Sequence, residues 1–282
     1  MLWLSEVAVD GVRSPMLQGG PAGNEEAVVF VHGNPGFSAD WKNLMERAAG
    51  FARCVAPDMP GFGQSDRPDR FDYTVPGYAR HLGGMLAQLG VRKAHLVLHD
   101  FGGPWGLAWA LGNPSTLASL TLINTGVLPG YRWHYLARIW RTPVLGELSM
   151  AIGSRRGFHL LLKHGNPRGL PKSFIDAMYS QIDFGTKRAI LRLYRSVDNP
   201  GEMAEKFGQA FRGWRRPVLV IWGRADPYIP VEYAARQRDF FPQAEVTVLE
   251  KSGHWPYADD PEGVATILLP FLKAALSNAG AA

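Results

Sequence analysis

The sequence predicts an α/β protein with a mostly parallel central sheet, helices on both of its faces and an inserted all-helical lid. Three observations carry this reading. Apolar runs without polar alternation recur along the chain, as strands buried on both faces do. Stretches of helical periodicity fill the intervals between them. Residues near 130 to 212 differ from the rest: they are rich in Arg, Leu, Tyr and Trp at helical spacing, carry no convincing strand and are interrupted by Pro143, Pro167, Pro171 and Pro200.

The first thirty or so residues contain two short strand-like runs, after which Glu26 to Gly33 reads as an apolar strand stopped by its glycine. Further strands are expected over Ala52 to Pro57, Ala94 to Asp100 and Leu117 to Asn124, with helices over Tyr78 to Leu89 and Gly103 to Leu111. After the lid the alternation resumes at Pro217 to Gly223. A helix from about Val231 to Phe241, a strand from Ala244 to Glu250 and a terminal helix ending near Leu276 complete the pattern. The Ala/Gly tail at 278–282 is expected to fray. The implied organisation is a core in two pieces, 1–129 and 213–282, around a lid at 130–212.

With 282 residues, 46% of them hydrophobic, the chain can fill one core. Charged residues make up 20%, and no run approaches the ~20 apolar residues that cross a bilayer, so disorder and transmembrane spans are excluded as expectations. The single cysteine, Cys54, has no internal disulfide partner and reads as a small core residue. Met1 to Val7 lack a basic segment followed by a long apolar run, so the expected location is the cytoplasm. The net charge of +5 is unevenly spread: Gly130 to Arg216 holds 16 Lys and Arg against 6 Asp and Glu, and the remainder 14 against 19. No recognised motif or interleaved aromatics accompany the basic stretch. A solvated helical surface is therefore expected, with neither nucleic acid nor membrane as partner. The oligomeric state stays open, a homodimer included.

In a parallel α/β sheet the chemistry gathers at the carboxyl ends of the strands. Three such ends carry ionisable groups here: His99-Asp100-Phe101-Gly102-Gly103, Arg224-Ala225-Asp226-Pro227 and Ser252-Gly253-His254-Trp255. The first has the form of a nucleophile elbow with aspartate where the G-x-S-x-G pattern places serine. Together with His32-Gly33-Asn34-Pro35 and Asp58-Met59-Pro60-Gly61-Phe62-Gly63-Gln64-Ser65, these segments resemble the α/β-hydrolase superfamily over residues 26 to 276. Within it, they resemble most the aspartate-nucleophile branch, the epoxide hydrolases and haloalkane dehalogenases. The resemblance implies an α/β-hydrolase fold with Asp100 as nucleophile, His254 as base and Asp226 as its orienting acid. It nominates the backbone N–H groups of Phe101 and Asn34 as the oxyanion hole. His99 and His32 read as hydrogen-bonded structural neighbours.

A carboxylate is ionised at neutral pH and suits attack on a saturated carbon; water activated by His254 then hydrolyses the ester. Such chemistry needs water alone, and the histidines lack metal-ligand spacing, so no metal or organic cofactor is implied. The substrate is a small molecule, an epoxide or a haloalkane. In dehalogenases a tryptophan typically follows the nucleophile and grips halide, helped by the Asn of His-Gly-Asn-Pro or by a second lid Trp; Asn34 is present here, whereas the Phe101 side chain offers no donor. Epoxide hydrolases place two lid tyrosines over the aspartate. Leu191-Arg192-Leu193-Tyr194-Arg195 is similar to the stretch carrying the second of these, which nominates Tyr194. Trp133-His134-Tyr135 resembles the segment of the first, which nominates Tyr135, with Tyr131 as the alternative and Trp133 or His134 as halide donors. Trp133 and Trp255 are expected to contact substrate. Asn34 departs from the epoxide pattern, where an aromatic is commoner. The expected function is epoxide hydrolysis; the alternatives are dehalogenation or another hydrolysis by the same triad, and a noncatalytic ligand-binding member of the fold.

Overall fold

The structure is a computed structural model that describes residues 1–279. The chain opens with β1 (Leu2–Val9) and β2 (Val12–Gly19), an antiparallel hairpin whose two-residue turn, Asp10-Gly11, has φ of 52° and 73°. An Asp-Gly pair suits that left-handed turn. Then come β3 (Glu26–Val31), α1 (Lys42–Ala48), β4 (Arg53–Pro57), α2 (Val75–Gln88), β5 (Lys93–His99), α3 (Gly102–Gly112) and β6 (Leu117–Ile123). Six helices follow without a strand: α4 (Tyr135–Arg141), α5 (Leu145–Ile152), α6 (Arg155–Gly165), α7 (Lys172–Ser180), α8 (Phe184–Arg195) and α9 (Pro200–Ala210). They form the lid. The chain returns through β7 (Val218–Gly223), α10 (Glu232–Arg236), β8 (Glu245–Leu249), α11 (Pro256–Asp259) and α12 (Pro261–Ala279).

The eight described strands form one sheet in the order β1-β2-β4-β3-β5-β6-β7-β8, antiparallel at β1–β2 and β2–β4 and parallel from β4 onward. Every residue of β4 and β7, and all of β3 and β5 beyond their first, is buried, which explains the unbroken apolar runs. Because β3 pairs with β4 on one side and β5 on the other, the strand order reverses at β3. A crevice opens at such a reversal, outside the carboxyl ends of the strands. The segments after β3 and β5 carry Asn34 and Asp100.

Two expected elements differ in extent. The helix expected over Val231 to Phe241 is only α10 followed by a 3-10 turn, Gln237–Asp239. Pro242 disfavours helical backbone at Phe241, and the buried Gln237 side chain is held by Val127 at both N–H and C=O (2.9 and 2.8 Å). α12 continues past Leu276 to Ala279; the tail from 280 to 282 lies outside the described residues. Cys54 is fully buried in β4, and burial pushes its thiol up to about 12. No described helix is long and apolar enough to cross a membrane.

Candidate active site

Asp100 sits between β5 and α3 with φ of 48°, the left-handed region that side chains rarely adopt. The turn is held from two sides. Thr125 Oγ1 donates to the Asp100 carbonyl (2.7 Å), and the backbone N–H of Asn34 donates to Asp100 Oδ1 (2.7 Å). The second contact needs glycine next door, since a Cβ at Gly33 would lie 2.3 Å from that of Asp100.

His254 faces Asp100 from the loop after β8, with Nε2 3.6 Å from Oδ2, and its Nδ1 is 2.7 Å from Asp226 Oδ2. Asp226 is in turn saturated: Asn124 Nδ2 donates to Oδ2 (2.7 Å), and the N–H groups of Tyr228 and Ile229 donate to Oδ1 (2.8 and 3.1 Å). A fixed acceptor at Nδ1 sets the imidazole's orientation and leaves Nε2 toward Asp100. Burial alone would lower the His254 pKa; the charges of Asp226 and Asp100 and the hydrogen bonds to both overturn that and raise it. Burial would likewise raise Asp100, but the His254 hydrogen bond and charge, with the Asn34 N–H, hold it below the usual carboxylate range. Both shifts favour an imidazolium beside an ionised carboxylate.

Above Asp100 the lid contributes Tyr194 and His134. Asp183 caps α8 by accepting from Thr186 N–H (2.7 Å), and the buried stripe Thr186, Ala189, Ile190, Leu193 and Tyr194 turns that helix onto the core. Tyr194 is buried, its ring packed edge-on against Phe101 (5.0 Å), and its hydroxyl accepts from Asn34 Nδ2 (3.3 Å). Burial and then the Asp100 charge push the phenol well above its ordinary pKa, so it is a protonated donor. His134 caps α4: its Nδ1 accepts from Ala137 N–H (3.3 Å), and the neutral ring therefore carries its proton on Nε2. Burial lowers this histidine to about 4, and it lines the cavity on either side of Asp100.

Several expected residues take other places. Tyr135 is 48% exposed, because His134 and Tyr135 are adjacent at a helix start and the inward direction belongs to His134. Tyr131 lines the cavity, but its hydroxyl donates to the Tyr228 carbonyl (3.0 Å). Trp133 contributes ring surface, stacked on Phe101 at 6.0 Å, while its N–H donates to the Val197 carbonyl (3.2 Å) and is closed to halide. Trp255 keeps its expected place, lining the cavity beside Asp100 while buried against His254 with ring centroids 4.6 Å apart. The Phe101 N–H opens α3, where a helix supplies no carbonyl for it. His32 and His99 are internal braces: His32 bridges Gly33 O and Met59 N–H (2.8 and 3.0 Å), and His99 Nε2 meets the His254 carbonyl (2.8 Å). Asp58 fixes its own loop, accepting from the N–H groups of Ser38 and Gln64 (both 2.7 Å).

The sequence reading passed over Asn124 and Asn166. Asn124 was detectable, as a polar residue ending an apolar strand at the carboxyl edge where the other site residues lie. Asn166 carried no such signal; its Oδ1 accepts from Trp255 N–H (3.0 Å) while the neighbouring Gly165 carbonyl accepts from His254 N–H (2.9 Å), so the end of α6 grips the His254 loop. Among the described residues no group of three His, Cys, Asp or Glu side chains could hold a metal ion.

A family profile described as the alpha/beta hydrolase fold matches residues 26–261. The chain belongs to this family. Among curated relatives, a cis-3-alkyl-4-alkyloxetan-2-one decarboxylase from Xanthomonas campestris pv. campestris is 28% identical over 95% of this chain and 93% of its own length. Among solved structures, a loop variant of a haloalkane dehalogenase from Bradyrhizobium elkanii superposes with a TM-score of 0.85 at 23% identity, covering 99% of each chain. The epoxide hydrolase CorEH superposes with a TM-score of 0.82 at 19% identity, covering 97% of this chain and 99% of its own. These structural likenesses establish the shared α/β-hydrolase fold.

Proposed function

We propose that this α/β-hydrolase is an epoxide hydrolase in which Asp100 forms, and His254 then hydrolyses, a covalent alkyl ester. The observation that carries the reading is the buried Tyr194 hydroxyl. It accepts from Asn34, so its own proton is free for a ligand on Asp100. An opening epoxide keeps its oxygen and builds negative charge there, which a neutral phenol and the His134 Nε2–H can meet. Halide departure asks for N–H donors instead; the Phe101 side chain has none and the Trp133 N–H is spent on Val197, which leaves the His134 Nε2–H.

In the first step Asp100 Oδ2 forms a bond to a ring carbon as that carbon's bond to oxygen breaks; the alkoxide takes a proton from Tyr194, leaving its phenolate, while the His134 Nε2–H donates a hydrogen bond. Alkylation removes the Asp100 charge that helped hold His254 as an imidazolium, so His254 gives up its proton, which restores the Tyr194 phenolate to the phenol, and becomes a base. Water then attacks Asp100 Cγ and passes a proton to Nε2. Oδ1 becomes the oxyanion at a position where the Asn34 N–H already donates, with the Phe101 N–H beside it. Collapse of this intermediate breaks the Cγ–Oδ2 bond as the departing oxygen takes the proton from His254, which releases the diol; the Asp100 acid then returns its proton to His254 and the carboxylate is restored.

A paired assay of styrene-oxide-like epoxides and 1-haloalkanes with purified protein tests this. Diol formation with little halide release is expected; halide release without epoxide turnover overturns it. The Xanthomonas relative motivates a second reading, since an oxetan-2-one is also a strained ring open to carboxylate attack at a saturated carbon. Loss of carbon dioxide from a cis-dialkyl β-lactone, with no epoxide turnover, would establish that reading instead.

A further inference from the structure

Asp100, His134 and Tyr194 stand between two chambers. On one side a chamber of about 60 Å³ is walled by Leu128, Met203 and Phe207, the last two from α9. On the other side the same three residues border a narrow neck, shaped by Pro35, Trp140 and Leu161. That neck shares its walls with a larger chamber of about 270 Å³ beneath α5 and α6, where Ile139, Phe158, Ile182 and Ile190 make an apolar lining. A reacting carbon held at Asp100 therefore has apolar space in two directions, unequal in size.

Lys187 stands on α8, half-buried, where the far chamber meets an outer cavity bordered by Glu147, Arg188 and Arg195. The other cations of this helix are consumed inside the protein: Arg188 and Arg192 pair with Asp69, and Arg195 with Glu147. Lys187 forms no ion pair among the described residues. The nearby hydroxyls of Ser149 and Ser154 are also engaged, on the Gly146 carbonyl and the Gly157 N–H. A lysine bordering an apolar chamber with no carboxylate paired to it favours an anionic ligand, and the excess of cations over residues 130 to 216 draws such a ligand toward the lid.

We infer that the substrate is an internal epoxide with two apolar arms, the shorter in the α9 chamber and the longer passing the neck to end in a carboxylate at Lys187. The inference rests on the reading of Asp100 as nucleophile. Its test compares cis-epoxyalkanoic acids with their methyl esters. The acid should be preferred at least tenfold in kcat/KM; Lys187→Met should collapse the preference to within twofold and Lys187→Glu should invert it. Arg212→Met, an exposed lid cation outside the chamber, should leave the preference in place. Met203→Trp, which fills the α9 chamber, should shift the optimum to a shorter alkyl arm.

Equal use of acid and ester, or a preference untouched by Lys187→Met, overturns the inference while epoxide turnover still stands. If no epoxide reacts, the same question is put to Asp100→Asn protein binding unreactive 10-hydroxyoctadecanoate and its methyl ester, followed by tryptophan fluorescence. A carboxylate preference lost in the Lys187→Met background supports the two-chamber assignment with other chemistry. Equal binding of acid and ester overturns it.

Discussion

Tyr194→Phe removes one hydroxyl and keeps the ring, which packs against Phe101, Trp133 and Trp140 at centroid distances of 5.0, 5.2 and 5.0 Å. Packing is therefore conserved, and two polar consequences remain. The Asn34 amide loses the hydroxyl it donates to, and a buried donor left without a partner costs about 1 to 3 kcal/mol of stability. The opening epoxide oxygen loses a donor in the transition state. A hydrogen bond to a charged group contributes roughly 1.5 to 3 kcal/mol, or on the order of ten- to a hundredfold in rate. Because His134 Nε2–H remains on the same cavity, the loss should fall toward the lower end; Tyr194→Phe combined with His134→Ala should nearly abolish epoxide opening. Rapid-quench single-turnover measurement of Asp100 alkylation reads this step alone, with a melting curve to show that the fold persists. An unchanged alkylation rate in folded Tyr194→Phe would refute the reasoning.

Other perturbations probe the rest of the site. Asn124→Ala strips Asp226 of its 2.7 Å amide donor and Gly223 N–H of its 3.0 Å acceptor, so stability should fall by about 2 to 4 kcal/mol and ester hydrolysis should slow more than alkylation. Tyr135→Phe should leave epoxide turnover within twofold, since that ring is exposed; a tenfold loss would place it back over Asp100. The charge pair makes a signed pH prediction. His254, raised in the folded state, contributes stability that is full below its unfolded value near ~6.5 and is lost as pH rises through the folded one. Asp100, lowered, contributes stability that is present above ~3.9 and is lost as pH falls through its folded value. Removing the Asp100 charge in Asp100→Asn should lower the His254 pKa by more than one unit in an NMR titration, and an unmoved value would sever the link between alkylation and base formation.

The parallel sheet and the order Asp100, Asp226, His254 were legible because both depend on local pattern. Buried parallel strands are apolar without alternation, and the polar residues that end them stand out against that background. The lid was legible as helical but not in its facing. Whether His134 or Tyr135 points inward depends on which residue caps α4, and the cap is set by a bond from Ala137 N–H to His134 Nδ1, a choice that spacing alone does not make. The same limit applies to Trp133, whose N–H is consumed by a carbonyl 64 residues away. Asn34 read as a departure from the epoxide pattern; its side chain instead supports Tyr194 while its backbone N–H serves Asp100, a double use that appears only once β3 and β5 are paired.

The central claim is that Asp100 becomes covalently bound to substrate. His254→Gln removes the base but leaves the carboxylate, so incubation with a reactive epoxide should halt at the ester. Peptide mass spectrometry should then find the intact mass of the epoxide added to the peptide that contains Asp100, and no such adduct when Asp100→Asn is combined with His254→Gln. An adduct on any serine, or no adduct in a His254→Gln protein that still turns over epoxide, would contradict the account.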